Sequence, residues 1–395
     1  MRTENVRTTR EEQEEIAGLL RDLVAARTVN PPGDEAVGAA VLKDFLNGHG
    51  VDVQYDDVEK GRPNVLCTVG RGKKRSLLFD SHMDVVSPGD PRAWRCDPFE
   101  PYVEDGKLYG RGACDAKASL AAMAEAMVRL ASEQDSFDGR VIFAAVMGEE
   151  ITGVGSQRIL ERGIAADADA VVVGEPTHLR AMTGHKGRVS VTLEIPGRAA
   201  HASQPQEAIN PIPRAAEVVR ALEPFCQEIR GRRHALLGAS SFVFTIVRAG
   251  DKQNVIPDRC TLGMDYRVVP PWTNEQVVAE LKERLGKLSE RLGYEIRLDY
   301  RTLAQAAFTP SEERIVQTAL EVIPKYGVDQ SEPEGFTACC DMHFFRAVGI
   351  PTIILGPGGI EQAHTVDEFV VLDEVLRAAE IYREIALRFL VKRET

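Results

Sequence analysis

Four short apolar runs, at residues 65–69, 77–79, 141–147 and 170–173, are continuous rather than alternating. Runs of that kind suit strands covered on both faces, the condition of a parallel sheet flanked by helices. Helical patterns separate them, the clearest at 116–131 with Leu120, Met123, Met127 and Leu130 at helical spacing. Another amphipathic helix is expected at 9–27, with Ile16, Leu19, Leu20 and Leu23 on one face, followed by the turn signal Asn30-Pro31-Pro32-Gly33. A strand at 351–355 and a long helix at 372–390 repeat the pattern near the end of the chain. The predicted fold is α/β, a mixed and mostly parallel sheet with helices on both faces.

Between these parts the grammar changes. Residues 188–195 alternate strictly, with Val189, Val191, Leu193 and Ile195 on one face, as in a strand half exposed to solvent. A helix at 211–229, strands at 242–247 and 259–268, a helix carrying Val278, Leu281, Leu285, Leu288 and Leu292, and a strand at 294–300 follow. The order β-α-β-β-α-β is the ferredoxin-like split motif. A chain of 395 residues exceeds what one core usually organises. The domains expected are a catalytic first part at 1–182, an inserted α+β lid at 183–301 and a catalytic second part at 302–395.

Composition narrows the function classes. The net charge is −12, with no basic patch beyond the run at 71–75, which argues against nucleic acid as a partner. No apolar run approaches the roughly 18 residues of a membrane span, and the charged stretch 1–15 lacks the apolar segment of a secretory signal. Seven cysteines with no CxxC spacing do not read as a disulfide framework. A cytoplasmic protein is expected.

The acidic and histidine residues gather at strand exits. His82 and Asp84 follow the 77–79 run, Glu149 and Glu150 follow 141–147, and Glu175 ends Val171-Val172-Val173-Gly174-Glu175. Asp115 opens a helix after Gly110-Arg111-Gly112, and His364 lies in a Gly- and Pro-containing loop after the 351–355 strand. In an open α/β sheet the crevice outside the carboxyl ends of the strands is where ligands bind. Two imidazoles and several carboxylates there suit zinc, or a harder ion such as manganese. A pair of ions would relieve the repulsion between carboxylates and make a hydrolytic site. Adjacent side chains at a strand end point different ways, so one of Glu149 and Glu150 can bind metal while the other takes a proton from water. Each residue alone has a plainer reading: H-x-D as a turn, Glu-Glu as a solvated helix start, Asp115 as an N-cap, His364 as a surface histidine. Their meeting at one sheet edge favours a dinuclear metallohydrolase.

The motifs Ser81-His82-Met83-Asp84, Gly110-Arg111-Gly112-Ala113-Cys114-Asp115-Ala116-Lys117, Gly148-Glu149-Glu150 and Gly174-Glu175-Pro176-Thr177 carry a resemblance. So do Gly197-Arg198-Ala199-Ala200-His201-Ala202-Ser203, Asn254-Val255-Ile256-Pro257, and Gly356-Pro357-Gly358-Gly359 with the following Ala363-His364-Thr365-Val366-Asp367-Glu368. In this order they resemble the acetylornithine deacetylase / succinyl-diaminopimelate desuccinylase / aminoacylase / carboxypeptidase G2 family of zinc amidohydrolases. The resemblance implies two Zn2+ per subunit, with Co2+ or Mn2+ as substitutes. Asp115 would bridge the ions, His82 and Glu175 would hold one, and Glu150 and His364 the other. Glu149 would be the general base, and Asp84 would orient His82. The lid would mediate a homodimer, and His201, beside Asn254, would reach a partner's site to stabilise the oxyanion. Arg267 would hold the substrate's α-carboxylate, and Gly358 would lie in the substrate-binding set; the plainer reading of Arg267 is a strand-edge ion pair.

Two positions depart from the family pattern. Ala118 stands where a glycine is usual, and Gly335-Phe336-Thr337-Ala338-Cys339-Cys340-Asp341 replaces a small-residue Gly/Thr/Ser segment. Cys114, Cys339 and Cys340 read best as buried, inert thiols. Among family members Glu175 resembles deacylases and carboxypeptidases rather than aminopeptidases. The expected reaction is removal of an acyl group from a small-molecule N-acyl amino acid. An acetylornithine deacetylase of arginine biosynthesis comes first, with succinyl-diaminopimelate desuccinylase or a carboxypeptidase or dipeptidase as the alternative. A dinuclear phosphoesterase is the rival from another class, against which stands the lack of a phosphate cradle.

Overall fold

A computed structural model describes residues 10–72 and 75–391. The charged stretch 1–9, with the expected helix start at Thr9, and Lys73 and Lys74 of the basic run lie outside the described residues. The chain divides into two compact units, Met1–Gly184 with Phe308–Thr395, and His185–Ala307.

Across the main sheet of the first unit the strands lie in the order Val53–Glu59, Arg62–Val69, Arg140–Val146, Ser76–His82, Ala170–Val173, Thr352–Ile354 and Met182–His185. The three central pairs are parallel, and the pairs toward either edge are antiparallel. Every residue of Ser76–His82 and of Ala170–Val173 is buried, the reason these strands read as unbroken apolar runs. Side chains alternate between faces. Leu77 and Phe79 join a core with the helices Arg10–Ala25, Lys117–Ser132 and Leu372–Leu390. Asp80, pointing the other way, meets Ser156 of the helix Val154–Glu161.

The helix Glu35–Gly48 of this unit has no counterpart in the sequence reading, and neither do the shorter Val154–Glu161, Arg314–Val322 and Met342–Ala347. In Glu35–Gly48 the buried side chains Ala39, Leu42 and Leu46 are helically spaced, but the segment is rich in alanine and glycine and its apolar stripe is thin. The antiparallel strand Val53–Glu59 carries a weak sequence signal for a related reason: only Val53 and Val58 are partly covered, and the one buried residue is Asp56. This strand and Glu35–Gly48 lie at one edge of the sheet.

The second unit is a four-stranded antiparallel sheet in the order Ser241–Arg248, Arg259–Val268, Gly187–Pro196, Arg297–Ala304. The helices Pro211–Arg230 and Asn274–Leu292 pack on its buried face, where Val189, Val191, Leu193 and Ile195 meet Leu222, Phe225, Leu281 and Leu285. Asn210 caps the first helix through Ile212 N–H, and Thr273 with Gln276 forms a capping box on the second. The last strand begins at Arg297, not at 294. Tyr294 instead packs its ring under the Arg214 guanidinium, 4.2 Å away, and its hydroxyl donates to Arg214 O, which holds it against the helix rather than in the ladder.

Asn64 joins the sheet to the loop that carries the acidic pair. Fully buried, it donates from Nδ2 to Gly155 O (3.0 Å) and accepts from Met147 N–H at Oδ1 (3.0 Å). Asn64→Ala removes both partners from buried backbone groups and is expected to cost about 2 kcal/mol. A lowered urea midpoint at unchanged slope would show it; an unchanged midpoint would refute this account of the loop.

Candidate metal centre

Parallel pairing brings the carboxyl ends of the central strands to one edge. His82 ends its strand, Glu149 and Glu150 follow Arg140–Val146 after a left-handed Gly148 (φ 80°), and Glu175 comes just after Ala170–Val173. Asp115 lies just before the helix Lys117–Ser132, and the Asp115–Ala116 peptide is cis. Two groups result, His82 with Asp115 and Glu175, and Asp115 with Glu150 and His364; in each, one ligand atom per residue lies within 4.8 Å of the others. Asp115 belongs to both: Oδ1 is 3.1 Å from His82 Nε2 and Oδ2 is 3.3 Å from His364 Nε2.

The hydrogen bonding fixes what these groups need. His82 Nδ1 lies 2.9 Å from the Asp84 carbonyl oxygen, which can only accept, so Nδ1 carries the hydrogen. Nε2 of the neutral ring then turns its lone pair toward Asp115 and toward Glu175 Oε1 at 3.8 Å. A lone pair facing carboxylates requires a proton or a cation between them. His364 Nε2 is placed alike, 3.2 Å from Oε1 and from Oε2 of Glu150. Without a metal, protons fill these places. Hydrogen bonds to Asp115 and Glu150 raise His364 to about 10, against the smaller effect of burial. Burial would lower His82, but its contacts with Asp115 and Asp84 and the charges of Glu149 and Glu175 outweigh that and raise it. Burial, with the neighbouring negative charges, raises Glu149, Glu150 and Glu175. Asp115, despite burial, is lowered by the two imidazoles. Imidazole nitrogens and carboxylate oxygens converging on two points are the donor set of a zinc-type site, so the residues fit a pair of divalent ions.

Asp84 contacts the His82 ring, but mainly through its backbone, and its side chain has a further part. Its carboxylate is 3.7 Å from His82 Nδ1, which its own backbone carbonyl holds instead. Oδ1 accepts from Glu149 N–H (3.1 Å), and Oδ2 accepts from Glu150 N–H (3.2 Å) and from Asn30 Nδ2 (2.9 Å). Asp84 therefore orients the ring through its backbone and the acidic pair through its side chain. Burial would raise its pKa, but the neighbouring His82 imidazole above all, with the Asn30 amide and the Glu150 N–H, outweighs that and lowers it.

Several groups at the site were not singled out in the sequence. Asn30 is one, and its place after a Pro-rich turn signal gave no hint of an amide aimed inward. Glu368 is another, wholly buried and bonded to the backbone around Asp115. Ser156 Oγ is 2.5 Å from Asp341 Oδ2 and 3.2 Å from Asp80 Oδ1, joining two buried carboxyls; burial raises both, Asp341 to about 6. Lys117 is buried with its Nζ donating to Ala26 O (2.7 Å), and burial, partly offset by Glu368 and Asp84, pushes it down to about 7. Cys114 and Cys340 are buried and Cys339 partly so, and burial raises the first two thiols.

Of the other expected residues, Gly358 lies in the first unit at φ 75°, donating N–H to Glu374 Oε2 (2.7 Å); a Cβ there would come 2.5 Å from Cys114 Sγ, so only glycine fits. His201, Asn254 and Arg267 belong to the second unit. His201 is exposed; Ser203 N–H donates to its Nδ1 (3.2 Å), which leaves the hydrogen of the neutral ring on Nε2. Asn254 is exposed and its carbonyl accepts from Ala202 N–H (2.9 Å), tying it to the His201 loop. Arg267 Nε donates to Asp265 Oδ1 (2.7 Å), and Arg188 Nε donates to Oδ2 of the same carboxylate (2.9 Å). The strand-edge ion pair is thus present.

Comparison with known proteins gives the same family. The model of peptidase family M20/M25/M40 matches residues 78–388. A protein named succinyl-diaminopimelate desuccinylase 2, from Ruegeria sp., is 31% identical over 380 residues, covering 93% of this chain and 93% of its own. An acetylornithine deacetylase from Proteus mirabilis is 29% identical over 329 residues, covering 82% of this chain and 81% of its own. In fold, an M20 family metallo-carboxypeptidase from Sulfolobus solfataricus superposes with a TM-score of 0.79 at 19% identity, covering 95% of this chain and 98% of that one.

Cations must displace the protons that the metal-free site holds, so zinc uptake near pH 7.5 is expected to release protons, with apparent affinity rising from about pH 6 to 8. The sign follows from His364, whose raised pKa keeps it protonated in that range until the ion competes for Nε2. Calorimetry in buffers of different ionisation enthalpy measures the release. Identical binding heats in all buffers would contradict this reading of the site.

Proposed function

The chain belongs to peptidase family M20/M25/M40, whose members are hydrolases of amide bonds, and from that premise we propose that it removes the acyl group from a small N-acyl amino acid. The observation that carries the proposal is the split of the acidic pair. Glu150 is drawn to His364. Glu149, its backbone pinned by Asp84, stands among Glu175, Asp341 and His82 with a raised pKa, as suits a base near neutral pH.

We assign one ion to His82, Asp115 and Glu175 and one to Asp115, Glu150 and His364, with zinc as the metal that best suits the donor set. Such a pair supplies electrophilic polarisation of the acyl carbonyl and makes water more acidic. Glu149 takes a proton from the attacking water and delivers it to the leaving amine. His201, with its Nε2–H free of the Ser203 contact, is the donor we assign to the oxyanion, acting in trans in a homodimer built through the second unit. Arg267, steadied at Nε by Asp265, is assigned the substrate's α-carboxylate, and Asn254 and Gly358 complete the substrate-binding set. Acetyl and succinyl groups are the acyl classes to compare. The deacetylase of arginine biosynthesis is the reading of the Gly356–His364 run, and the desuccinylase relative, matched over more of its length, supports the succinyl reading. A cytoplasmic setting fits such a biosynthetic substrate.

The deciding assay is amine release from N-acetylornithine, N-acetylmethionine, N-succinyl-diaminopimelate and an N-acylglutamate, each with EDTA. EDTA-sensitive release from one of them is expected, and silence across the panel with zinc bound would overturn the proposal. Glu149→Gln should lower kcat by a factor of about 10² to 10⁴ while zinc content stays unchanged. Full activity of that variant would remove Glu149 from its role. For His201, mixing His201→Ala with Glu149→Gln subunits should restore activity in mixed dimers; no restoration would place its action within one subunit.

A further inference from the structure

The loop that carries His364 is built against backbone preference. His364 and Asp367, neither of them glycine, adopt left-handed conformations at φ 60° and 54°. Such positions persist only where neighbouring contacts over-determine them. Here the contacts come from Asp367 and, above all, Glu368. Asp367 Oδ1 accepts from Arg95 N–H (3.0 Å) and its Oδ2 pairs with Arg95 Nε (3.2 Å).

Glu368 is fully buried, and both of its carboxylate oxygens are occupied. Oε1 accepts from Cys114 N–H (2.8 Å) and Asp115 N–H (3.0 Å); Oε2 accepts from Gly112 N–H (3.1 Å) and the Arg111 guanidinium (2.5 Å). Its backbone carbonyl also accepts from Gly110 N–H (2.9 Å). Arg111 is itself buried, its guanidinium 5.1 Å from the centre of the Trp94 ring, and balances the charge. With four donors on two oxygens, Glu368 has no capacity left to ligate a metal.

We infer that Glu368 is a positioning residue that locks the Asp115 loop to the His364 loop and so sets the cation site made by Asp115, Glu150 and His364. The inference rests on the reading that these three residues hold an ion. Two of the three, Asp115 and His364, sit on segments joined by this one carboxylate. The other group shares Asp115, but its remaining members, His82 at the end of one central sheet strand and Glu175 just after another, are not held by Glu368. The two ions should therefore differ in their dependence on Glu368.

The test is zinc titration of the metal-free full-length protein against a competing chelator, for wild type, Glu368→Gln and Arg111→Lys. Glutamine keeps the size of the side chain but places an amide NH2 against backbone N–H groups. The second ion should bind about 10- to 100-fold more weakly in Glu368→Gln, the usual effect of losing a partner outside the ligand shell. The first should change no more than a few-fold. Arg111→Lys keeps a positive charge beside the carboxylate and is expected to fold even if Glu368→Gln does not; it should show the same selective loss to a smaller degree. A purely structural role would weaken both ions alike or neither, and either result in the folded variants would overturn the inference. Failure of the wild type to bind zinc at all would instead overturn the metal reading, and this inference with it.

Discussion

The arrangement depends on one crowded contact, the Asp115 carboxylate held between two imidazoles with Glu150 and Glu175 close by. At an effective dielectric of 20, two like charges 4 Å apart repel by about 4 kcal/mol. Several such pairs at a buried sheet edge cannot all stay ionised without compensation. Everything around Asp115 either supplies positive charge or fixes where the negative charge stands. The imidazoles supply the first in the absence of metal, and a pair of divalent cations is the natural replacement at the same two points.

Fixing falls to backbone amides. Asp84 accepts the N–H groups of Glu149 and Glu150, while Glu368 accepts those of Gly112, Cys114 and Asp115. Both are carboxylates turned toward a loop between elements, where N–H groups have no partner in helix or ladder. A buried acid used this way stabilises a loop at the point where a loop would otherwise be least determined. It also frees the loop's own side chains to face the reactants. Gly148 and Gly358 complete the device by letting the backbone turn left-handed beside these anchors.

What could be read from the sequence follows from how local each signal is. The central strands announce themselves because parallel strands buried on both faces have no polar alternation, and their carboxyl ends located His82, Glu150 and Glu175. The alternation at 188–195 likewise revealed the second sheet. The missed features depend on partners far along the chain. Glu368 makes sense only beside residues 111–115, some 250 positions earlier. The bond from Asn30 to Asp84 spans 54 residues. Asp84 was recognised, but its spacing of two from His82 suggested the ring as partner, and only the fold brings Glu149 N–H to it. Tyr294 reads as strand by composition, yet the Arg214 contact draws it away.

The carboxyl groups at this edge thus fall into two kinds by their partners rather than by residue type. Asp84 and Asp115, surrounded by N–H donors or imidazoles, are held ionised. Glu149, Glu150 and Glu175 have fewer donors and more like-charged neighbours, and are raised. Pairs of titratable groups whose surroundings push them apart are how one site obtains both a fixed charge and a proton acceptor. Bound cations would draw Glu150 and Glu175 into the ionised set, since each stands within ligand distance of one of the two groups. Glu149 is in neither group, so the residue left out of the charge compensation is the one to which the proposed reaction gives the proton.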